Sequence, residues 1–96
     1  MLTRIVKMHF HTEKVADFLA HFETIKDKVR NQPGCRSMHL YQDTQNPDIY
    51  FTISLWEQES DLEHYRTSPF FKEVWYYTKS LFQEKAEAWT LEKLGV

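Results

Sequence analysis

The tightest constraint in this chain is the dipeptide Ser68-Pro69, set within the run W-E-Q-E-S-D-L-E-H-Y-R-T-S-P-F-F-K-E-V-W from Trp56 to Trp75. Proline inside a helix removes a hydrogen bond, but at the first helical position its missing N–H costs nothing. A serine just before it offers an oxygen to the free N–H groups of the first turn. Ser68-Pro69 therefore reads as the end of one short helix and the restart of another. Beyond it Phe70, Phe71, Val74, Trp75, Thr78, Leu81 and Phe82 recur at helical spacing and form one broad apolar face, with Lys72, Glu73 and Lys79 outside it. A helix with that face must lie against something apolar. The spacing predicts two helices over a sheet.

The rest of the chain supplies that sheet. Residues 2–11 (L-T-R-I-V-K-M-H-F-H) alternate as a strand, with Val6, Met8 and Phe10 on one side and Ile5, Lys7, His9 and His11 on the other. Thr12 is placed to cap the next element, in which Val15, Phe18, Leu19, Phe22, Ile25 and Val29 trace a long amphipathic helix. Asn31-Gln32-Pro33-Gly34 ends it. Residues 35–43 alternate again, the polar loop T-Q-N-P-D follows, and I-Y-F-T-I-S-L-W makes a third strand with Ile49, Phe51, Ile53 and Leu55 on one side. Two strands so joined predict an antiparallel hairpin. Residues 85–94 suit a helix by composition and a strand by the placing of Ala86, Ala88, Trp89 and Leu91. A strand is the choice that completes a split βαβ sheet.

A chain of 96 residues is one domain, residues 1–96, with a small core. It carries seven Phe, five Tyr and three Trp, more ring area than a small monomer hides, so a homodimer is expected. The formal net charge of −2, with Lys and Arg scattered, gives no basic footprint for nucleic acid. The single cysteine, Cys35, excludes an internal disulfide and suits a reducing compartment. Arg4 and Lys7 interrupt the only apolar run near the N-terminus, so neither a signal peptide nor a membrane span is expected, and the expected location is the cytoplasm.

Taken in order, Pro33-Gly34-Cys35 before the second strand, Trp56-Glu57 at the end of the third, and D-L-E-H-Y-R-T-S-P-F-F-K resemble the antibiotic biosynthesis monooxygenase (ABM) domain, over nearly the whole chain. The resemblance implies an α+β, ferredoxin-like protomer that pairs into a dimeric α/β barrel, with the last strand reaching toward the partner and a pocket between sheet and helices. It implies a cofactor-independent monooxygenase acting on a small aromatic substrate such as a phenol, quinol or anthrone. There the deprotonated substrate itself supplies electrons to O2, and the protein provides a base, hydrogen-bond donors and a dry cavity. Other members degrade haem, and some have no demonstrated reaction. This chain departs from the family pattern: Tyr65 and Phe70 replace two frequent histidines. Lys7, Tyr65 and Trp75 stand where the haem-degrading branch has asparagine, tryptophan and histidine.

Three residues are candidate proton handlers. His9 and His39 carry imidazoles that titrate near neutrality and can take a phenolic proton; Tyr65 can donate to a developing oxyanion. Trp56, Phe71 and Trp75 are the candidate substrate-binding residues, rings able to stack on an aromatic ligand. The bland alternative for each is packing, and a histidine hydrogen-bonded within a dimer is the commoner fate. His9, His11 and His39 do not make a metal site, because the third strand separates the first from the second and leaves the histidines about 10 Å apart. Neither a metal nor a cofactor is expected. His21 and His64 fall on polar faces and are expected in solvent, and Cys35 has no local base to make it a nucleophile. The rival to an enzyme is a non-catalytic small-molecule-binding or stress-response protein that kept the barrel and lost the base. A haem-binding protein is third.

Overall fold

Alternation along the strands sorts the molecule into two sides. In the computed structural model, which describes residues 1–96, β1 spans Leu2–Phe10 and is followed by a 3-10 turn at Thr12–Lys14. Next come α1 (Val15–Arg30), β2 (Cys35–Gln42), β3 (Ile49–Trp56), α2 (Glu59–Arg66), α3 (Pro69–Lys79) and β4 (Phe82–Glu92). The strands form one antiparallel sheet in the order β2-β3-β1-β4. Because β3 lies between β1 and β2, this is the split βαβ order of an α+β, ferredoxin-like fold.

One face of the sheet is covered by the helices. Met8 and Phe10 of β1, Met38 of β2, and Tyr50, Ser54 and Trp56 of β3 are all buried there. Phe18, Phe22 and Val29 of α1 descend on them, and Phe10 stacks on Phe18 with ring centroids 4.2 Å apart. The opposite face carries the alternate residues: Ile5, Lys7 and His9 of β1, Phe51, Ile53 and Leu55 of β3, Trp89 and Leu91 of β4. No helix of the chain covers them. Trp89 keeps 43% and Leu91 49% of its surface exposed, and the accessible area of 6418 Å² exceeds the roughly 5,800 Å² typical of a monomer of this mass.

Local chemistry explains the turns. At Ser68 the hydroxyl oxygen accepts from Phe71 N–H at 3.1 Å, and Pro69 opens α3, as the spacing predicts. Between β2 and β3, Asp43 Oδ2 accepts from Gln45 N–H and Asn46 N–H, and Asn46 Oδ1 accepts from Asp48 N–H. After α1 the chain turns through Gly34 at φ 83°, a conformation other residues resist. A Cβ there would also run into the carboxylate of Asp61.

Four expectations are corrected. Thr12 does not cap α1; its hydroxyl donates instead to Asp48 Oδ2, tying the end of β1 to the β2–β3 loop. Leu81 and Phe82 do not continue the last helix, which stops at Lys79, because Phe82 pairs with Phe10 and starts β4 there, three residues before the expected position. Leu19 belongs to the apolar stripe by spacing, yet is 39% exposed on the flank of α1. His21 is not in open solvent: its ring meets Tyr77 edge-on at 4.6 Å, its Nε2 is buried without a partner, and burial lowers its pKa. No helix is long and apolar enough to cross a membrane.

Replacing Ser68 with alanine leaves the first turn of α3 uncapped and is expected to cost about 1 kcal/mol. Gly34→Ala combines left-handed backbone with the clash at Asp61 and should cost more than that. Urea midpoints of the two variants check the order. A Gly34→Ala midpoint equal to wild type contradicts the described turn.

Candidate functional site

The helices do not close onto the sheet completely. Between them lies a cavity of about 460 Å³ lined by 20 residues, 15 of them hydrophobic, a size and lining suited to a small organic ligand. Its floor is the helix-facing phase of the strands, including Val6, Met8, Met38, Thr52 and Trp56. Its walls are Phe18 and Phe22 of α1, Leu62 and Tyr65 of α2, and Phe71, Val74 and Trp75 of α3.

Ser68 sets the angle between the two short helices and so places their rings. Its hydroxyl donates to the Tyr65 carbonyl at 2.6 Å while accepting from Phe71 N–H. Tyr65 and Phe71 consequently meet edge to face, 5.1 Å apart at 78°. Tyr65 also stacks on Trp56 (5.2 Å, 21°), and Phe71 lies nearly parallel to Trp75 (5.9 Å, 14°). Offset and edge contacts of this kind add about 0.5–1.5 kcal/mol each to the area they bury. The result is a wall of fixed rings rather than loose apolar surface.

One transverse row of the floor is polar over three of its four strands, with Met38 of β2 completing it beside Ser54. Arg4 stands opposite Ser54 on one side and Thr90 on the other, and its Nη1 donates to Thr90 Oγ1 at 2.8 Å. Ser54 Oγ accepts from the Trp56 indole N–H at 2.9 Å, which leaves the serine proton free to point elsewhere. Arg66 joins this end of the lining from α2. No aspartate, glutamate or histidine lines the cavity. Burial, and to a lesser degree the Cys35 thiol, pushes the Tyr65 phenol up to about 12. It is therefore a permanent donor near neutrality and no base.

The structure brings together Tyr65, Trp56, Phe71 and Trp75, four of the six residues singled out from the sequence. It places His9 and His39 elsewhere. Both belong to the opposite phase of their strands, on the uncovered face. There His9 Nδ1 lies 3.4 Å from Glu84 Oε2 and His39 is exposed opposite Ile53. No three His, Cys, Asp or Glu side chains stand close enough to hold a metal. Arg4, Ser54 and Arg66 were not picked out by sequence reasoning. For Arg4 a signal existed: it is the one charged residue in the Arg4, Val6, Met8, Phe10 phase of β1.

Comparison with known proteins agrees with this geometry. A crystal structure of a conserved protein from Methanosarcina mazei superposes with a TM-score of 0.91 at 24% identity, over 98% of this chain and 94% of that one. A crystal structure described as antibiotic biosynthesis monooxygenase gives 0.90 at 17% identity, over 98% and 99%. A third, from Mycobacterium tuberculosis, gives 0.89 at 17% identity, over 99% and 96%. At these identities the likeness is one of fold. In sequence, an uncharacterized protein of Synechocystis is 25% identical over 75 residues, 78% of this chain; the chain spans about half (51%) of that relative's length. The family described as antibiotic biosynthesis monooxygenase matches residues 1–74, and the chain belongs to the ABM family.

Proposed function

We propose that the protein is a cofactor-independent monooxygenase acting on a small aromatic substrate held in the cavity between sheet and helices. The observation that carries this reading is the cavity itself: about 460 Å³, walled by Trp56, Tyr65, Phe71 and Trp75, in a chain of the ABM family. An electron-rich phenol, quinol or anthrone lies against those rings. Once ionised, the substrate supplies the electrons to O2 without a metal, flavin or haem. At a methylene carbon the step balances as follows: both C–H bonds break, a carbonyl forms with one atom of O2, and the other atom leaves with the two hydrogens as water. The carbon is oxidised and O2 takes up all four electrons. Tyr65, protonated near neutrality, donates to the oxygen on which negative charge develops. His9 and His39 lie off the cavity, so the proposal gives them no part in this step.

One observation favours a second reading, a binding protein without turnover. No histidine or carboxylate lines the cavity, so no side chain there is suited to take a proton near neutrality. Oxygen uptake with a panel of quinols and anthrones separates the two. The oxygenase reading expects uptake without added cofactor. Tyr65→Phe, which keeps the ring and loses the donor, should then lower the rate by roughly 10²-fold. Full activity in Tyr65→Phe removes the tyrosine from the mechanism. Tight binding of a panel member with no oxygen consumed would establish the binding protein.

The proposal includes a homodimer. The uncovered apolar face of the sheet, with Ile5, Ile53, Trp89 and Leu91, is wide enough to need a cover, and a second copy presents the same surface about a two-fold axis. Light scattering across a dilution series should hold the mass of two chains. A well-folded monomer at micromolar concentration contradicts this.

A further inference from the structure

The cavity contains cations and no anion. Arg4 and Arg66 are the only charged residues in its lining. Arg4 enters none of the molecule's ion pairs, and of its five N–H donors one is bonded, to Thr90 Oγ1. Arg66 has Glu63 at 3.4 Å, but Glu63 does not line the cavity. The three groups together leave one positive charge at this end. The free Ser54 proton lies in the same transverse row as Arg4.

We propose that the cavity takes its ligand as an anion: an aromatic compound bearing a carboxylate, phenolate or comparable oxyanion, gripped by Arg4 and Arg66, with its rings against Trp56, Phe71 and Trp75. The proposal rests on the reading of this cavity as the ligand site. A guanidinium matches a planar oxyanion with paired N–H donors, and removed from water the pairing is stronger than at a surface. A partly buried cation without a counterion is held at a cost that an anionic ligand removes. The pKa of Arg4 is lowered first by burial and second by the like charge of Arg66, with Glu63 opposing. Both lowering causes are ones that an incoming oxyanion offsets.

The proposal also answers how a cavity without a base handles an ionisable substrate. Two nearby cations stabilise the conjugate base of a phenol and lower its pKa. The substrate then enters or persists as its own anion, and no side chain has to accept the proton. The floor is graded for this: the Thr90, Arg4, Ser54 row is polar until it reaches Met38 on β2, and the Ala88, Val6, Thr52, Leu40 row beside it is apolar apart from one hydroxyl.

Calorimetric titration with 2-naphthoate and with the neutral, similarly shaped 2-naphthalenemethanol tests the proposal on the whole chain near neutral pH. Wild type should bind the carboxylate at least about tenfold more tightly than the alcohol, and added salt should narrow the gap. Arg4→Met should weaken the carboxylate by several-fold or more and the alcohol far less, so that the gap between the two narrows while Arg66 keeps part of it; a gap as wide as that of wild type overturns the role given to Arg4. Arg66→Gln, at an exposed position, should weaken the carboxylate alone by several-fold and serves if Arg4→Met fails to fold. Equal affinity for the two compounds in wild type overturns the anion proposal while the cavity reading stands. Binding of neither compound overturns both.

Discussion

The stacking of Tyr65 on Trp56 is the contact on which the arrangement of this molecule depends. It joins the end of the central strand β3 to the first of the two short helices, with ring centroids 5.2 Å apart. From there the rings continue without a break. Tyr65 meets Phe71, Phe71 meets Trp75, Trp75 meets Phe82, Phe82 meets Phe10, and Phe10 meets Phe18. This chain of rings passes from β3 through α2 and α3 to β4 and β1 and ends on α1. It holds the helices off the sheet at fixed height, which is why a cavity persists where looser aliphatic packing would collapse. In so small a domain, with 12 of 96 residues buried, a few ring contacts carry a large part of the packing.

Much of this was legible in the sequence, for physical reasons. Proline and serine have few permitted roles, so Ser68-Pro69 located the helix restart, and the 2-residue and 3.6-residue periods separated strands from helices. The family resemblance added the order of the strands. What the sequence did not disclose was which strand phase the helices cover. Ile49, Phe51, Ile53 and Leu55 form the more aliphatic side of β3, yet they lie on the open face, and the mixed phase Tyr50, Thr52, Ser54, Trp56 lies beneath the helices. Hydrophobicity marks a face that is destined for burial without saying whether the cover is the chain's own helices or a partner. His9 and His39 went to the open face with the aliphatic phase. Arg4 went beneath the helices for the same reason, against its polarity.

The chemistry of the cavity follows from that exchange of faces. A site with arginines and a high-pKa tyrosine, and with neither imidazole nor carboxylate in its lining, is built to donate hydrogen bonds and to attract negative charge. It is not built to remove protons from a neutral molecule. In the oxygenase proposed above, this shifts the burden of ionisation from the protein to the substrate. Positioning, exclusion of water and stabilisation of an oxyanion are the contributions left to the protein. The same features serve a binder of aromatic anions equally well, so the two functional readings share a ligand class and differ in whether O2 is consumed.

The proposed function and the anion proposal both require the ligand to lie between sheet and helices and not on the uncovered face. Methyl-resolved NMR with an added aromatic carboxylate tests this placement most directly, because methyl groups mark both surfaces. Val6, Met8, Met38 and Val74, which line the cavity, should shift on titration and show contacts to ligand protons. Ile5, Ile53 and Leu55 on the opposite face should show no such contacts. Ligand contacts confined to Ile5, Ile53 and Leu55, with the cavity methyls unmoved, would contradict both proposals.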